Sequence, residues 1–244
     1  MSERLQKLLA ARGFGSRREI ERWIEAGRLS VNGQVAQLGD KVSPEDKIAL
    51  DGKRLKLGQK PASTRIIIYN KPEGEICTRR DPEGRKTVFD RLPVKGSERW
   101  LAVGRLDINT TGLLLFTNNG ALANQLMHPS TGIDREYAVR VRGEVTEQHL
   151  QALRDGVLLD DGFARFSDIQ PAREATGSNA WFYVVMMEGR NREVRRLWES
   201  QGLTVSRLKR VRYGNVFMPS SLKLGRYQEL DAGQVDRLVS LADS

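Results

Sequence analysis

The sequence contains very few of the residues that build metal cages and disulfides. Cys77 is its single cysteine, and His128 and His149 are its two histidines. A Cys/His metal site therefore cannot be assembled, and no disulfide can form within the chain. We expect a protein of a reducing compartment, the cytoplasm, that uses neither a metal ion nor another cofactor.

Long apolar runs are also missing. The longest aliphatic and aromatic runs, such as Leu-Leu-Leu-Phe at 113–116, are far too short to cross a bilayer. The opening Met-Ser-Glu-Arg-Leu-Gln-Lys carries charge where a secretory signal needs an apolar core. We therefore predict neither export nor membrane anchoring.

Acidic residues are outnumbered, with 31 Asp and Glu against 40 Lys and Arg, for a formal net charge of +9. Residues 1–60 hold 13 basic and 8 acidic side chains, and residues 188–212 hold 8 and 3. Each segment carries +5, so the rest of the chain is close to neutral. This concentration predicts two basic patches for a polyanionic partner, the alternative being ordinary solvated helix faces.

Residues 1–60 show the pattern of a small helical module with a hairpin. Leucines at helical spacing are followed by a capping box, Ser16 with Glu19, which opens a second helix that ends at Gly27. That helix is predicted to bury Ile20, Trp23 and Ile24. A strand, an Asn-Gly turn at 32–33 and further short strands follow. The Gly, Pro and Ser of 58–64 predict a linker, which separates domains at 1–60 and 61–244.

Arg17 and Arg18 fall in the first turn of the second predicted helix, where the helix dipole disfavours cations. A phosphate bound at this helix N-terminus would compensate them, with Arg12, Arg22 and Arg28 nearby. Solvent screening is the alternative, since the penalty at an exposed helix start is only about a few tenths of a kcal/mol.

The second domain alternates short strands with helices, which predicts an α+β fold around a mixed sheet. A β-rich region begins at residue 65. Further strands are predicted at 100–104, 113–117, 135–143 and 181–188, and helices at 121–128, 147–156 and 192–202.

Asp107 lies in a Gly-, Asn- and Thr-rich connection between two predicted buried strands, a rigid place for a reactive group. The alternative is a purely structural role for Asp107 in an Asx turn or a helix cap. A buried carboxylate needs a fixed cation. The predicted helix at 192–202 has a buried stripe that would orient Arg192, Arg195 and Arg196 toward neighbouring surfaces, unless that helix simply faces solvent.

Tyr137, on a predicted strand, is either plain core or a platform for an extracted base.

Four stretches together resemble the RsuA-like family of pseudouridine synthases. They are residues 69–93, 104–120, 135–141 and 188–198, of which the second, Gly-Arg-Leu-Asp-Ile-Asn-Thr-Thr-Gly-Leu-Leu-Leu-Phe-Thr-Asn-Asn-Gly, is the most specific. The likeness covers nearly the whole chain. The first domain resembles the alpha-L type RNA-binding domain. The resemblance implies an α+β protein in which this domain precedes a larger mixed-sheet catalytic domain.

The resemblance also implies an activity, the isomerisation of uridine to pseudouridine in ribosomal RNA. The expected substrate is the 23S RNA of the large subunit or an assembly intermediate of that subunit. We expect a monomer. Asp107 matches the catalytic aspartate, Arg105 the residue that holds the opened RNA, and Tyr137 the residue that packs on the target base. Arg195 matches the basic partner of the aspartate, with Arg192 one helical turn away as the alternative.

Two other functions compete with this interpretation. An RNA N-glycosylase also attacks a glycosidic bond but normally needs a second acid, for which Asp81 and Asp90 are available. A catalytically silent ribosomal RNA-binding assembly factor would need only the basic first domain.

Overall fold

The computed structural model describes residues 2–43, 45–57, 63–93, 99–172 and 179–243. The chain forms two compact units, Met1–Thr64 with Val94–Arg99 and Arg65–Pro93 with Trp100–Ser244. Of the predicted linker, residues 58–62 lie outside the described residues.

The first unit pairs two helices with short antiparallel strands. Its elements are β1 (Glu3–Arg4), α1 (Leu5–Ala11), α2 (Arg17–Glu25), β2 (Leu29–Val31), β3 (Gln34–Val35), β4 (Lys41–Val42), β5 (Ile48–Leu50) and β6 (Lys53–Arg54). β1 pairs with β4, and the other strands form a sheet in the order β3-β2-β5-β6. Its apolar core is built from both helices and the sheet, including Leu5, Leu9, Ile20, Leu29 and Ile48.

The local signals of this unit are confirmed. The Ser16 hydroxyl accepts from the Glu19 amide at 3.1 Å, and the Glu19 carboxylate accepts from the Ser16 amide at 3.3 Å, so both halves of the capping box form. Asn32 and Gly33 both take positive φ, as a tight hairpin turn requires. Trp23 is an exception, because it is only half-buried.

The second unit contains one large sheet. Its strands are β7 (Ile66–Lys71), β8 (Leu101–Val103), β9 (Thr111–Thr117), β10 (Arg135–Arg142), β11 (Val157–Leu159), β12 (Gly162–Ala164), β13 (Asp168–Pro171), β14 (Asn179–Met186), β15 (Thr204–Tyr213), β16 (Val216–Phe217) and β17 (Tyr227–Glu229). Its helices are α3 (Gly120–Met127), α4 (Glu147–Asp155), α5 (Glu193–Glu199) and α6 (Ala232–Asp243). The predicted elements are all present, and the strands β11, β12, β13, β15, β16 and β17 and the helix α6 are additional to them.

The sheet runs in the order β13-β14-β10-β15-β9-β7-β17, with β8 beside β9 and β16 beside β15. The pair formed by β9 and β15 is parallel, and the other pairs are antiparallel. β11 and β12 form a separate hairpin. The mixed sheet predicted from the sequence is therefore confirmed.

Apolar clusters cover the β7 and β9 half of the sheet on both faces. Alternate residues of β7 join different apolar clusters: Ile66 and Ile68 pack with α3 and α6, whereas Ile67 and Tyr69 pack in the cluster that contains α4 and α5. This double cover explains the unbroken apolar run of β9, Leu113–Phe116. β10 instead alternates between buried and more exposed residues.

Gly112 permits the parallel contact at which the two halves of the sheet meet. It lies opposite Arg210 with φ of +100°, and a Cβ placed on it would overlap the carbonyl oxygen of Arg210. The Arg210 side chain then donates from Nε to the carbonyl of Leu113 at 2.7 Å. A glycine in this motif is thus required by the close approach of two backbones.

Candidate active site

Asp107 lies in the loop between β8 and β9, and a buried lysine holds that loop. The Lys71 side chain at the end of β7 is fully buried, and its Nζ donates to the carbonyls of Asp107 at 3.0 Å, Thr110 at 2.9 Å and Pro72 at 3.0 Å. Burial lowers the pKa of Lys71, while nearby thiol and carboxylate groups oppose that shift.

Two further carbonyls of the loop accept hydrogen bonds from a thiol and from a main-chain amide. The Leu106 carbonyl accepts from Cys77 Sγ at 3.3 Å, and the Ile108 carbonyl accepts from the Gly74 amide at 2.9 Å. The Leu106 amide in turn donates to the same sulfur. Burial raises the pKa of the Cys77 thiol, which favours the protonated donor. The backbone that carries Asp107 is therefore fixed from several sides.

The Arg195 side chain also holds this loop, by a hydrogen bond to one of the main-chain carbonyls of the loop. Arg195 is buried in α5 and donates from Nη2 to the Asn109 carbonyl and from Nη1 to the Val205 carbonyl, both at 3.0 Å. Within the described part of the chain its side-chain partners are these two carbonyls, and its direct pairing with the Asp107 carboxylate stays a prediction. Each terminal nitrogen thus donates one of its two N–H groups to a main-chain carbonyl. Burial lowers the pKa of Arg195, and the charge of Asp107 opposes this.

A cavity of about 730 Å³ opens beside the loop, and four carboxylates line it. Three are paired with arginines: Asp81 with Arg85 at 2.8 Å, and Glu188 and Glu193 with Arg190 at 2.9 and 3.0 Å. Asp107 has no side-chain hydrogen bond or cation partner among the described residues. Its carboxylate is thus the one available to a molecule that enters the cavity.

Arginines dominate the charge of this cavity. Seven line it: Arg80, Arg85, Arg105, Arg135, Arg190, Arg192 and Arg210. Arg80 and Arg105 are exposed and have no carboxylate partner in the described ranges. Arg192 is the N-cap residue of α5 with φ of +48°, and its nearest carboxylate, on Glu199, is 3.7 Å away. A polyanion entering this cavity therefore meets free positive charge at its exposed margin.

Tyr137 serves as core and as cavity wall at once. It lies on β10 opposite Val184 and Arg210, is only 7% exposed, and belongs to the large apolar cluster. It also lines the cavity. The two interpretations of this residue are therefore compatible.

Lining or supporting residues that the sequence did not single out include Lys71, Cys77 and Arg210. A lysine at the end of an otherwise apolar strand was the available signal for Lys71. Arg210 is 2% exposed and lines the cavity, and its Nη2 has no hydrogen-bond partner among the described residues. Nothing in the charged run around Arg210 distinguishes it from its exposed neighbours, since only packing buries it.

The predicted phosphate-binding arginines of the first unit differ in their surroundings. Arg17, Arg18 and Arg22 are exposed on α2 and have no carboxylate partner in the described residues. Arg28 is bound to Asp51 by two hydrogen bonds of 2.9 and 2.5 Å. Arg12 follows α1 as its C-cap residue.

Comparisons with known proteins agree with this arrangement. A family model described as RNA pseudouridylate synthase matches residues 65–200, and an S4 domain model matches residues 3–48. Two relatives are called ribosomal large subunit pseudouridine synthase B. The protein from Pseudomonas aeruginosa is 61% identical over 98% of this chain, and the one from Vibrio cholerae is 57% identical over 100% of it. The chain spans 62% and 76% of their respective lengths.

A solved structure described as a pseudouridylate synthase has the same fold. Its TM-score is 0.66 at 24% sequence identity, and the match covers 96% of this chain and 99% of that one. No helix in the described residues is long and apolar enough to span a bilayer.

Proposed function

The chain belongs to the RNA pseudouridylate synthase family, and on that premise we propose that it converts uridine to pseudouridine in the 23S RNA of the large ribosomal subunit. Asp107 supplies the reacting carboxylate. The observation that carries the proposal is the state of this side chain, which alone among the four carboxylates of the cavity lacks a cation partner within the described residues.

The reaction needs a carboxylate and no redox or group donor. The bond between the ribose C1′ and N1 of uracil breaks, the base turns, and C1′ joins C5. The proton lost from C5 is balanced by the proton gained at N1. Asp107 either adds covalently to the nucleoside or takes part in abstracting a ribose proton.

The uridine must leave its stack before Asp107 can reach it. Tyr137 lies in the cavity wall, where an extracted base can pack against its ring. Arg105 and Arg192 supply cations for the opened RNA, with Arg80 beside them. Arg195 and Lys71 position the aspartate through its loop and need not touch the RNA.

The two competing functions are less well supported. A glycosylase needs a second acid, yet Asp81 is bound by Arg85 and the Asp90 carboxylate accepts from Thr87 at 2.7 and 2.8 Å. A silent RNA-binding protein has no use for a free carboxylate held in an arginine-lined cavity. We further propose that the enzyme acts in the cytoplasm as a monomer, on free RNA or an assembling subunit.

Replacing Asp107 by Asn tests the proposal. We expect Asp107→Asn to abolish pseudouridine formation in 23S RNA while RNA affinity stays within a few-fold, because phosphate contacts supply most of the affinity. The control is Asp236→Asn, an exposed carboxylate on α6. Chemical mapping of pseudouridine gives the readout. Normal turnover by Asp107→Asn excludes the carboxylate mechanism, and release of free uracil by the unmodified chain identifies a glycosylase.

A further inference from the structure

The four-stranded half of the sheet has a second face that the cavity does not use. In β10, Tyr137, Val139 and Val141 point into the apolar cluster, so Ala138 and Arg140 point the other way. Registered neighbours on β14 and β15 share that direction. We call this surface the basic sheet face and define it by Arg140, Arg142, Trp181, Tyr183, Arg207 and Lys209.

Like charges oppose each other on this face. Arg140 on β10 lies directly opposite Arg207 on β15, and Ala138 lies opposite Lys209. Directly opposed cations on neighbouring strands destabilise a sheet unless an anion compensates them. Among the described residues, neither Arg140 nor Arg207 has a carboxylate partner.

Two rows further along the same sheet, beyond the row of Ala138 and Lys209, an arginine is compensated by carboxylates. Arg212, opposite Glu136, bonds that carboxylate at 2.7 Å and the carboxylate of Asp134 at 2.7 Å as well. The chain thus neutralises Arg212 internally and leaves the pair of Arg140 and Arg207, two rows away, without a carboxylate partner among the described residues. An external anion would occupy the position that Asp134 and Glu136 fill beside Arg212.

Arg140 is also held in place for such an anion. Its Nε donates to the hydroxyl of Ser206 at 2.9 Å, and that hydroxyl donates to the Arg140 carbonyl at 3.0 Å. The anchoring bond uses Nε, so the two terminal nitrogens have no partner in the described residues. A planar pair of free donors suits a phosphate group.

Aromatic rings lie in the same two rows as the cations. Trp181 is directly opposite Arg140, and Tyr183 is directly opposite Ala138. Tyr183 is 44% exposed, and the small Ala138 next to it leaves its ring uncovered from that side. Trp181 is only partly exposed. An exposed ring and a partly exposed ring interleaved with cations on an open sheet are suited to unpaired bases and their phosphates.

We propose that the basic sheet face binds a single-stranded segment of RNA, with bases stacked on Tyr183 and Trp181 and phosphates at Arg140, Arg207 and Lys209. This second contact surface goes beyond the proposed function. It rests on that function in one respect, that the substrate is RNA. It would hold a part of a long RNA other than the segment containing the target uridine.

Binding of a mixed-sequence single-stranded 12-mer RNA to the full chain, titrated at several salt concentrations, tests the proposal. The double variant R140Q/R207Q should lower the slope of log K against log salt by about 1.4, since each single-strand phosphate contact contributes about 0.7. Tyr183→Ser should weaken binding about tenfold through loss of a stacked base. The control R165Q/K223Q removes two exposed charges elsewhere on the same unit and should leave the slope unchanged.

Several outcomes overturn the proposal. An unchanged slope for R140Q/R207Q does so, as does equal weakening by R165Q/K223Q, which would indicate a general charge effect. An altered oligomeric state of R140Q/R207Q at unchanged RNA affinity would assign the face to a second protein chain instead. Pseudouridine formation by the unmodified chain is measured separately on 23S RNA, so failure of the proposed function is seen independently of binding to this face.

Discussion

Replacing Lys71 by Met tests whether the position of the Asp107 carboxylate matters for the rate, since the carboxylate itself stays in the chain. In Lys71→Met the carbonyls of Pro72 and Thr110 lose this donor, whereas the Asp107 carbonyl keeps the Thr110 amide at 3.0 Å, and each buried carbonyl left unpaired costs about 1–3 kcal/mol. The substitution also relieves the cost of burying an ammonium group, which is several kcal/mol. We expect the free energy of unfolding to fall by about 2–4 kcal/mol, measured by urea denaturation.

The catalytic effect of Lys71→Met should exceed the effect on binding. A displacement of a reacting group by about 1 Å is enough to lower a rate about 10²-fold. We therefore expect the single-turnover rate at saturating RNA to fall about 100-fold while the RNA dissociation constant stays within a few-fold. The rate is measured at a temperature where circular dichroism shows the variant folded.

Lys86→Met is the matched control, since Lys86 is exposed in the same loop that follows β7. It should change neither stability nor rate. If Lys71→Met loses stability but keeps the full rate, the loop holds Asp107 without the lysine, and the positional argument is wrong.

The remaining predictions concern arginines. The triple variant R17Q/R18Q/R22Q should lower the salt slope of 23S RNA binding by about 2–3, whereas Arg28→Gln should change it little because Asp51 already binds that side chain. Equal slopes for both would remove α2 from the RNA contact. Arg195→Met should lower the single-turnover rate about 10- to 100-fold by freeing the Asn109 carbonyl. A normal rate in the folded variant would show that the loop does not depend on it.

Local signals in the sequence were sufficient for most of the secondary structure. The capping box at Ser16, the Asn32 and Gly33 turn and the apolar run of β9 each depend on neighbouring residues alone, and each forms as predicted. The loop position of Asp107 follows from the same local logic. The pairing of its carboxylate was not predictable in this way, because it depends on residues that are distant in sequence.

Most of the elements, the mixed-sheet fold class, the two charge concentrations and the aspartate between two buried strands are predictable from the sequence, because propensity, periodicity and charge are properties of a few neighbouring residues. The partner of each charged side chain depends on tertiary packing. Lys71 and Arg195 donate to loop carbonyls, and arginines pair three of the cavity's carboxylates. Asp107 has no such partner among the residues that the structure describes. A charged side chain is satisfied or left free by groups brought within about 3–4 Å, and these come from strands and loops far apart along the chain.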